Sequence, residues 1–460
     1  MTPSPSRRPP RGALPILALL VVLAVATVSL GSVLSARLDS LLPSATGTPV
    51  TSVASPSPAP ASPTPAPTPT VVPDPTPSFD PTGATGIQRQ ATVSDAARAA
   101  TRLALKKRLD GIREKYGIPG VSVTIIFPDG SQWVGTSGLA DVTGKVPVTP
   151  DTAFAIASIT KTYTAALILA LVEDGRLRLD APLSTYLPGL RVDTSVTVRQ
   201  LLDHTSGLRD YFFHRDIDGV LLGERDRRWT ELEALSYVGK PYFKPGRGWH
   251  YSNTNYLVLG LLAEWVGEAP LAEQLRTRFL EPLGLAGTFY QPAEAATGPV
   301  ARGYRFRGAA PGAAPIDLTG DGEMAPFASV VTAAAGAGAV AATSGDVARW
   351  ARALYAGRVL APASVRAMVD DAARTARYRP GVPYGLGVQV MDVAAQRTLG
   401  HSGRLLGFRS VVRHLPDTGF TIAVMTNQSR TDPAIIVRAL LRIAQAPPRD
   451  CPCLDVGRGR

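Results

Sequence analysis

From Pro43 to Pro81, proline recurs at nearly every second or third position, as in S-P-S-P-A-P-A-S-P-T-P-A-P-T-P-T. Proline has no N–H for a sheet ladder and cannot continue a helix, so such a stretch favours extended polyproline II, a semi-rigid stalk of about 3 Å per residue. It serves as a spacer or, alternatively, as a polyproline ligand. It also divides the chain into residues 1–42 (a basic start and an apolar run), a Pro/Ser/Thr-rich linker at 43–90, a globular part at 91–446 and a C-terminal tail at 447–460. The globular part, roughly 350 residues, suffices for one large two-lobed domain or two ordinary ones.

Arg7, Arg8 and Arg11 precede an apolar run from Ala13 to about Leu34, broken only by small residues such as Thr27, Ser29, Gly31 and Ser32. A run of about twenty apolar residues can cross a bilayer as a helix, and the positive charge before it places the N-terminus in the cytoplasm. The segment reads as an uncleaved membrane anchor or as a signal peptide with a small-residue cleavage site near Ser35–Ala36. Either way the globular part is expected to be extracytoplasmic. The net charge of +11 comes from scattered Lys and Arg without interleaved aromatics, which argues against nucleic acid as a partner. The two cysteines, Cys451 and Cys453, both fall in the tail; they build no disulfide framework and no zinc spacing.

Within the globular part, periodicity predicts a helix over about 94–116, ended by Gly117, Pro119 and Gly120. A β-branched strand follows at 121–127, with a hairpin partner at 131–136 across P-D-G. A buried helix is predicted over 157–172. The stretch 176–345 reads as mostly helix and loop, with its clearest helix at 255–266. Short strands are predicted at 384–391, 397–401, 408–414 and 420–426, and a last helix at 433–444. Strands at both ends and helices between them imply an α+β architecture. One sheet is assembled from both ends of the globular chain and flanked by the terminal helices, with a mainly helical lobe inserted.

Three short motifs carry chemistry. In Ser158-Ile159-Thr160-Lys161, residues three apart on a helix are neighbours, so the Lys161 amine can reach the Ser158 hydroxyl and activate it as a nucleophile. The lysine must then be substantially neutral, which burial or a nearby positive charge promotes. Alone, the same four residues also read as a capped helix start with a solvated lysine. The second motif is Tyr251-Ser252-Asn253, just before a helix: a phenol to relay protons and an amide to hold a substrate carbonyl, or simply helix-cap chemistry. The third is His401-Ser402-Gly403, between Gly400 and Gly407. A strand passing a nucleophile can lend a backbone N–H to an oxyanion hole, and Gly403 permits close approach. His401 offers a hydrogen bond or a positive charge, and Ser402 a hydroxyl.

Taken together and in this order, the motifs resemble the serine β-lactamase and penicillin-binding-protein superfamily, whose pattern is S-x-x-K, S-D-N, K-T-G. The branch most similar is class C, where the second motif is Y-x-N and the third K-T-G or H-x-G. The stretches L-L-D-H-T-S-G-L at 201–208 and A-G-A-G-A-V-A-A-T-S-G-D-V-A-R-W at 335–350 look like the same family. The histidine at the third motif is similar to D-alanyl-D-alanine carboxypeptidases of the Streptomyces type and to several esterases.

The resemblance implies a β-lactamase/transpeptidase-like fold and an acyl-enzyme mechanism. Ser158 would be acylated, Lys161 would take its proton, and Tyr251 would pass a proton to the leaving group. Asn253 would bind the acyl side, and the backbone N–H groups of Ser158 and Arg404 would hold the oxyanion. His401 and Ser402 would face the leaving group or a substrate carboxylate. The implied substrate is a peptidoglycan stem peptide; an ester, an amide or a β-lactam is the alternative, and a non-catalytic wall-binding module a further one. No cofactor or metal is expected: there is no P-loop, dinucleotide fingerprint or H-E-x-x-H. D-L-T-G-D-G at 317–322 fails as a calcium loop because its twelfth position is Ala328. His204 in H-T-S-G-L reads as a turn organiser, and His214, His250 and His414 have no clear role.

Overall fold

The computed structural model describes residues 84–306, 314–319 and 324–446. The Ala13–Leu34 run, the stalk and the tail with its two cysteines lie outside these residues. Among the described residues no helix is long and apolar enough to cross a membrane.

Helix α1 (Ala84–Tyr116) leads into β1 (Gly120–Ile126), β2 (Gln132–Asp141), β3 (Val146–Pro147) and β4 (Phe154–Ala155). A single 3₁₀ turn, Ala157–Ile159, then opens α2 (Thr160–Glu173). Helix α3 (Asn253–Gly267) is followed by β5 (Thr288–Tyr290), β6 (Tyr304–Phe306), β7 (Pro315–Asp317), β8 (Val340–Ala342) and α4 (Ser344–Tyr355). The chain closes with β9 (Gln389–Val393), β10 (Gln396–Leu405), β11 (Phe408–His414), β12 (Thr421–Thr426) and α5 (Ala434–Ala444).

The main sheet has seven strands in the order β3-β2-β1-β12-β11-β10-β9, every pairing antiparallel. The two ends of the globular chain meet where Val123 of β1 pairs with Val424 of β12, as the sequence pattern implies. Strand β1 is buried along its whole length because both faces are covered. On the outer face, Leu105, Leu109 and Ile112 of α1 and Ile436, Val437 and Leu440 of α5 pack on Val121, Val411 and Val424. On the inner face, Phe408, Val412, Ala423 and Met425 join the core of the helical lobe. Each such buried aliphatic side chain contributes about 1.5–3 kcal/mol.

Helix α2 runs through the middle of that core. Its residues from Thr160 to Leu171 are all buried, as expected of a helix without a polar face. It is locked to α4 by Tyr163, stacked on Trp350 with ring centroids 4.1 Å apart, and by the Trp350 Nε1–H, which donates to Thr162 Oγ1 at 2.8 Å.

Four features differ from the sequence expectation. Helix α1 begins at Ala84, ten residues earlier than predicted and within the stretch read as linker. Strand β2 continues past Thr136 to Asp141, although Gly138 sits at φ +78°; a Cβ there would collide with the Pro119 carbonyl. The strand predicted at 384–391 begins only at Gln389. Before it, Gly387 takes φ +78° and turns the Tyr384–Val388 segment inward against Ala165 and Tyr256. The stretch 176–345 also supplies β5 and β8, which join β4 in a three-stranded sheet of order β4-β8-β5, and it holds the β6-β7 pair. These strands are too short for alternation to show in the sequence.

Candidate active site

Between Thr152 and Leu171 every residue is buried except Ser158. The chain reaches it through Ala157, held at φ +50°, a left-handed conformation that a non-glycine residue adopts only when its surroundings impose it. Those surroundings are visible. The Ile156 N–H donates to the Val340 carbonyl at 3.1 Å, and the Ile156 carbonyl accepts from Ser410 Oγ at 2.7 Å. Gly403 of β10 lies directly against the turn, where a Cβ would run into the Ile156 carbonyl and the Ser410 hydroxyl. Sheet and turn are thus fitted together at the nucleophile.

One turn on, Lys161 is fully buried. Its Nζ donates to Ser158 Oγ at 3.2 Å, to Asn253 Oδ1 at 2.8 Å and to the Ala337 carbonyl at 2.8 Å. It also lies 4.9 Å from the ring centroid of Tyr251 and 5.3 Å from that of Tyr256. The reading of a solvated lysine is thereby excluded. Burial pushes its pKa down to about 7, with the Asp210 carboxylate opposing. A substantial neutral fraction therefore exists at neutral pH, as a general base requires. The Ala337 carbonyl comes from the glycine- and alanine-rich stretch noted in the sequence. Gly336 makes the approach possible: a Cβ there would lie 2.7 Å from the Tyr256 carbonyl.

Tyr251 and Asn253 enter from the start of α3. Burial pushes the Tyr251 pKa above the ordinary phenol value, with Ser158 pulling the other way, so it is a neutral donor next to the nucleophile. Its hydroxyl makes no hydrogen bond to any described residue. Asn253 is held in one amide orientation. Its Nδ2 and its backbone N–H both donate to Asp210 Oδ2, at 2.8 and 3.1 Å, leaving Oδ1 for Lys161.

The third motif divides by strand alternation. His401 and Gly403 are buried on the site side of β10, while Ser402 and Arg404 are exposed on the other face. The Ser402 hydroxyl pairs with the Gln389 side chain at 3.2 Å. His401 Nδ1 lies 2.8 Å from the Ser402 carbonyl and Nε2 lies 2.8 Å from the Tyr384 hydroxyl. The first must be a donor, so Nε2 accepts from Tyr384. Burial, and secondarily Lys161, hold the His401 pKa well below 6.5. Of the two roles the sequence left open, the structure selects the hydrogen bond and removes the positive charge. The two-residue turn Leu406–Gly407 makes Leu405 and Phe408 a hydrogen-bonded pair. Alternation along the ladder then points the Arg404 N–H away from β11. Strand β9 pairs with β10 only as far as Gly400, so that N–H faces the edge occupied by the Ser158 turn.

Three side chains absent from the sequence expectations complete the site: Asp210, Tyr384 and, in a role beyond turn geometry, His204. His204 sits at φ +64° behind Tyr251, ring centroids 4.4 Å apart. Its Nδ1 accepts from the Ser252 N–H at 3.1 Å and lies 3.2 Å from Asn255 Nδ2. In the sequence H-T-S-G at 204–207 reads locally as a turn, and Asp210 in L-R-D-Y at 208–211 stands in a stretch read only as helix and loop. Among the described residues no cluster of three or more His, Cys, Asp or Glu is placed to hold a metal. The arrangement of nucleophile, adjacent base, free phenol and N–H donors is chemically complete for acyl transfer.

Comparison with known proteins agrees. Penicillin-binding protein 4 of Amycolatopsis lactamdurans is 31% identical over 341 residues, spanning 70% of this chain and 84% of that one. The structure of a D-stereospecific amidohydrolase from Streptomyces sp. superposes with a TM-score of 0.63 at 27% identity, covering 74% of this chain and 97% of the other. D-amino acid amidase from Ochrobactrum anthropi SV3, complexed with D-phenylalanine, gives 0.62 at 27% identity, covering 75% and 98%. The beta-lactamase family model matches residues 105–446, and with the Ser158–Lys161 pair in place the chain belongs to that family of serine hydrolases.

Proposed function

We propose that this serine hydrolase is a D-alanyl-D-alanine carboxypeptidase acting on peptidoglycan stem peptides outside the cytoplasm. The observation that carries the reaction is Lys161 Nζ at 3.2 Å from Ser158 Oγ, buried and with its pKa brought to about 7. Ser158 Oγ attacks the scissile carbonyl as Lys161 takes its proton. The oxyanion forms between the backbone N–H groups of Ser158 and Arg404, where preorganised donors stabilise developing charge. Tyr251, neutral and unengaged, protonates the departing amine and is reprotonated from Lys161. Water then releases the acyl group by the reverse proton path.

The peptide reading is supported by the likeness to a penicillin-binding protein and by the anchor-plus-stalk pattern that precedes the domain. A second reading, hydrolysis of D-amino acid amides or esters, is favoured by the neutral His401, which brings no charge to a substrate carboxylate. One fixed cation that reaches the site is Arg379, half-buried over Trp249 at 4.7 Å from the ring centroid and close enough to act on the Tyr251 and His401 pKa values. The deciding experiment compares kcat/KM for a D-Ala-D-Ala peptide, a D-amino acid amide, an aryl ester and a chromogenic cephalosporin. Preference for the peptide supports the carboxypeptidase; preference for the amide or ester replaces it. Ser158→Ala is expected to abolish covalent labelling by an acylating probe, and labelling that persists would remove the nucleophile assignment.

A further inference from the structure

Asp210 is a fully buried carboxylate on the loop before a short 3₁₀ turn, 43 residues before Asn253. Among the described residues no Lys or Arg forms an ion pair with it within 4 Å. Its Oδ1 accepts from the Phe212 N–H at 3.0 Å, and its Oδ2 accepts both donors of Asn253. A buried carboxyl is costly unless something compensates it. The cation whose charge acts on it is Lys161, reached through one amide: Lys161 Nζ donates to Asn253 Oδ1, and Asn253 Nδ2 donates to Asp210 Oδ2.

We infer that Asp210 is a positioning residue for catalysis, the far member of a Ser158–Lys161–Asn253–Asp210 relay in which an amide bridges the base to a buried anion. This rests on the Ser-Lys reading and extends it. Asp210 does two things. It fixes the flip of Asn253 so that oxygen faces the lysine, and its charge stabilises the ammonium that forms when Lys161 takes the serine proton. No proton crosses the amide; the carboxylate acts electrostatically, as the third group behind a catalytic base does.

The loop is built to hold this position. The Tyr211 N–H donates to Thr254 Oγ1 at 3.1 Å, Thr254 Oγ1 donates to the Arg209 carbonyl at 2.6 Å, and the Tyr211 hydroxyl donates to the Ala333 carbonyl. The titratable groups facing the relay are few. Around Asp210 stand Tyr211 and Tyr242, both held above the ordinary phenol value by burial. Around Lys161 stand Tyr251 and Tyr256, also raised by burial, and His204 and His401, both held well below 6.5 by burial. Burial raises the Asp210 carboxyl itself above the ordinary carboxylate value, opposed by its hydrogen bonds from Asn253 and Phe212 and by the Lys161 charge; Lys161 is the member brought to about 7. Asp203, which burial raises to about 7, lies beyond His204 and outside the relay.

The test is the pH dependence of Ser158 phosphonylation by a fluorophosphonate probe, in which the serine oxygen displaces fluoride from phosphorus, measured on the full chain and on Asp210→Asn. Phosphonylation, like acylation, requires neutral Lys161 to take the serine proton, so its rate rises with pH through that group's titration. Removing the Asp210 charge lowers the lysine pKa. The acid limb is expected to move by about one pH unit toward acid while the plateau rate falls about tenfold or more. A loop that merely supports the fold would lower the rate without moving the limb, and an unmoved limb in a folded Asp210→Asn protein overturns the inference. Should that variant fail to fold, Asp210→Ser keeps an acceptor without charge and must show the same shift. Failure of the wild-type chain to label at Ser158 would instead overturn the Ser-Lys reading itself.

Discussion

On the helical side of the cleft, Lys161, Tyr251 and Asn253 act through side-chain atoms, each held by buried partners. On the strand side, Gly403 contributes the absence of a side chain, Arg404 its backbone N–H, and His401 a neutral ring tied to Tyr384. The difference follows from the elements. A helix projects neighbours three or four residues apart toward one point, which suits proton transfer. A strand edge offers N–H groups at a fixed spacing, which suits an oxyanion. The helical wall therefore decides whether a proton moves, and the strand wall decides where the carbonyl sits and what it tolerates.

Substitutions on the two walls should separate accordingly. The largest loss is expected for Lys161→Ala: kcat/KM should fall about a thousandfold or more in steady-state assays, since among the described residues no other basic side chain is hydrogen-bonded to Ser158. Retention of activity would break the comparison outright. On the opposite wall, Gly403→Ala forces a methyl into the Ile156 carbonyl. The turn must shift, and we expect about a hundredfold lower kcat with about 1–3 kcal/mol lost in denaturant unfolding. Loss of activity without loss of stability would mean the strand contributes more than fit.

Arg379→Ala sharpens the question of charge. If Arg379 receives a substrate carboxylate, KM should rise about tenfold for a peptide with a free C-terminus and stay unchanged for the corresponding amide. Equal effects on both would assign the arginine to packing over Trp249 alone.

The smallest effect belongs to His401→Gln, expected to lower kcat/KM only a few-fold because the ring carries no charge. Its signature is in stability against pH. The folded pKa of His401 lies below the unfolded value near 6.5. The unfolded chain binds the proton first as pH falls, so this residue's contribution is present above about 6.5 and lost on acidification. Between pH 7.5 and 5.5 the variant should lose on the order of 1 kcal/mol less than the wild type in thermal or denaturant unfolding. Parallel curves would show that His401 is charged after all.

Much of this site was legible along the chain. Ser158 and Lys161 announce themselves because a helix converts a spacing of three into contact. Tyr251 and Asn253, before a strongly apolar helix, and Gly403, between two strand signals, gain their roles only when the three motifs are read together as resembling one family. Asp210 was not: it stands in a stretch read only as helix and loop, where it caps the 3₁₀ turn through Phe212. Tyr384 read as the start of a strand, whereas Gly387 turns the segment in beneath His401. The short strands β4, β5 and β8 carry too few residues for any periodicity.

The sequence by itself determined that strands from both ends of the globular chain close one sheet around a helical lobe, and that a serine, an amine, a phenol and a glycine-bearing strand belong to one cleft. Hydrophobic periodicity encodes the first; the second came from the order of three motifs that resemble the serine β-lactamase family. Protonation was decided only by the tertiary structure. Whether Lys161 is a base, His401 neutral and Asp210 part of the machinery depends on burial and on partners between 17 and 92 residues away, and neither is written in any local pattern.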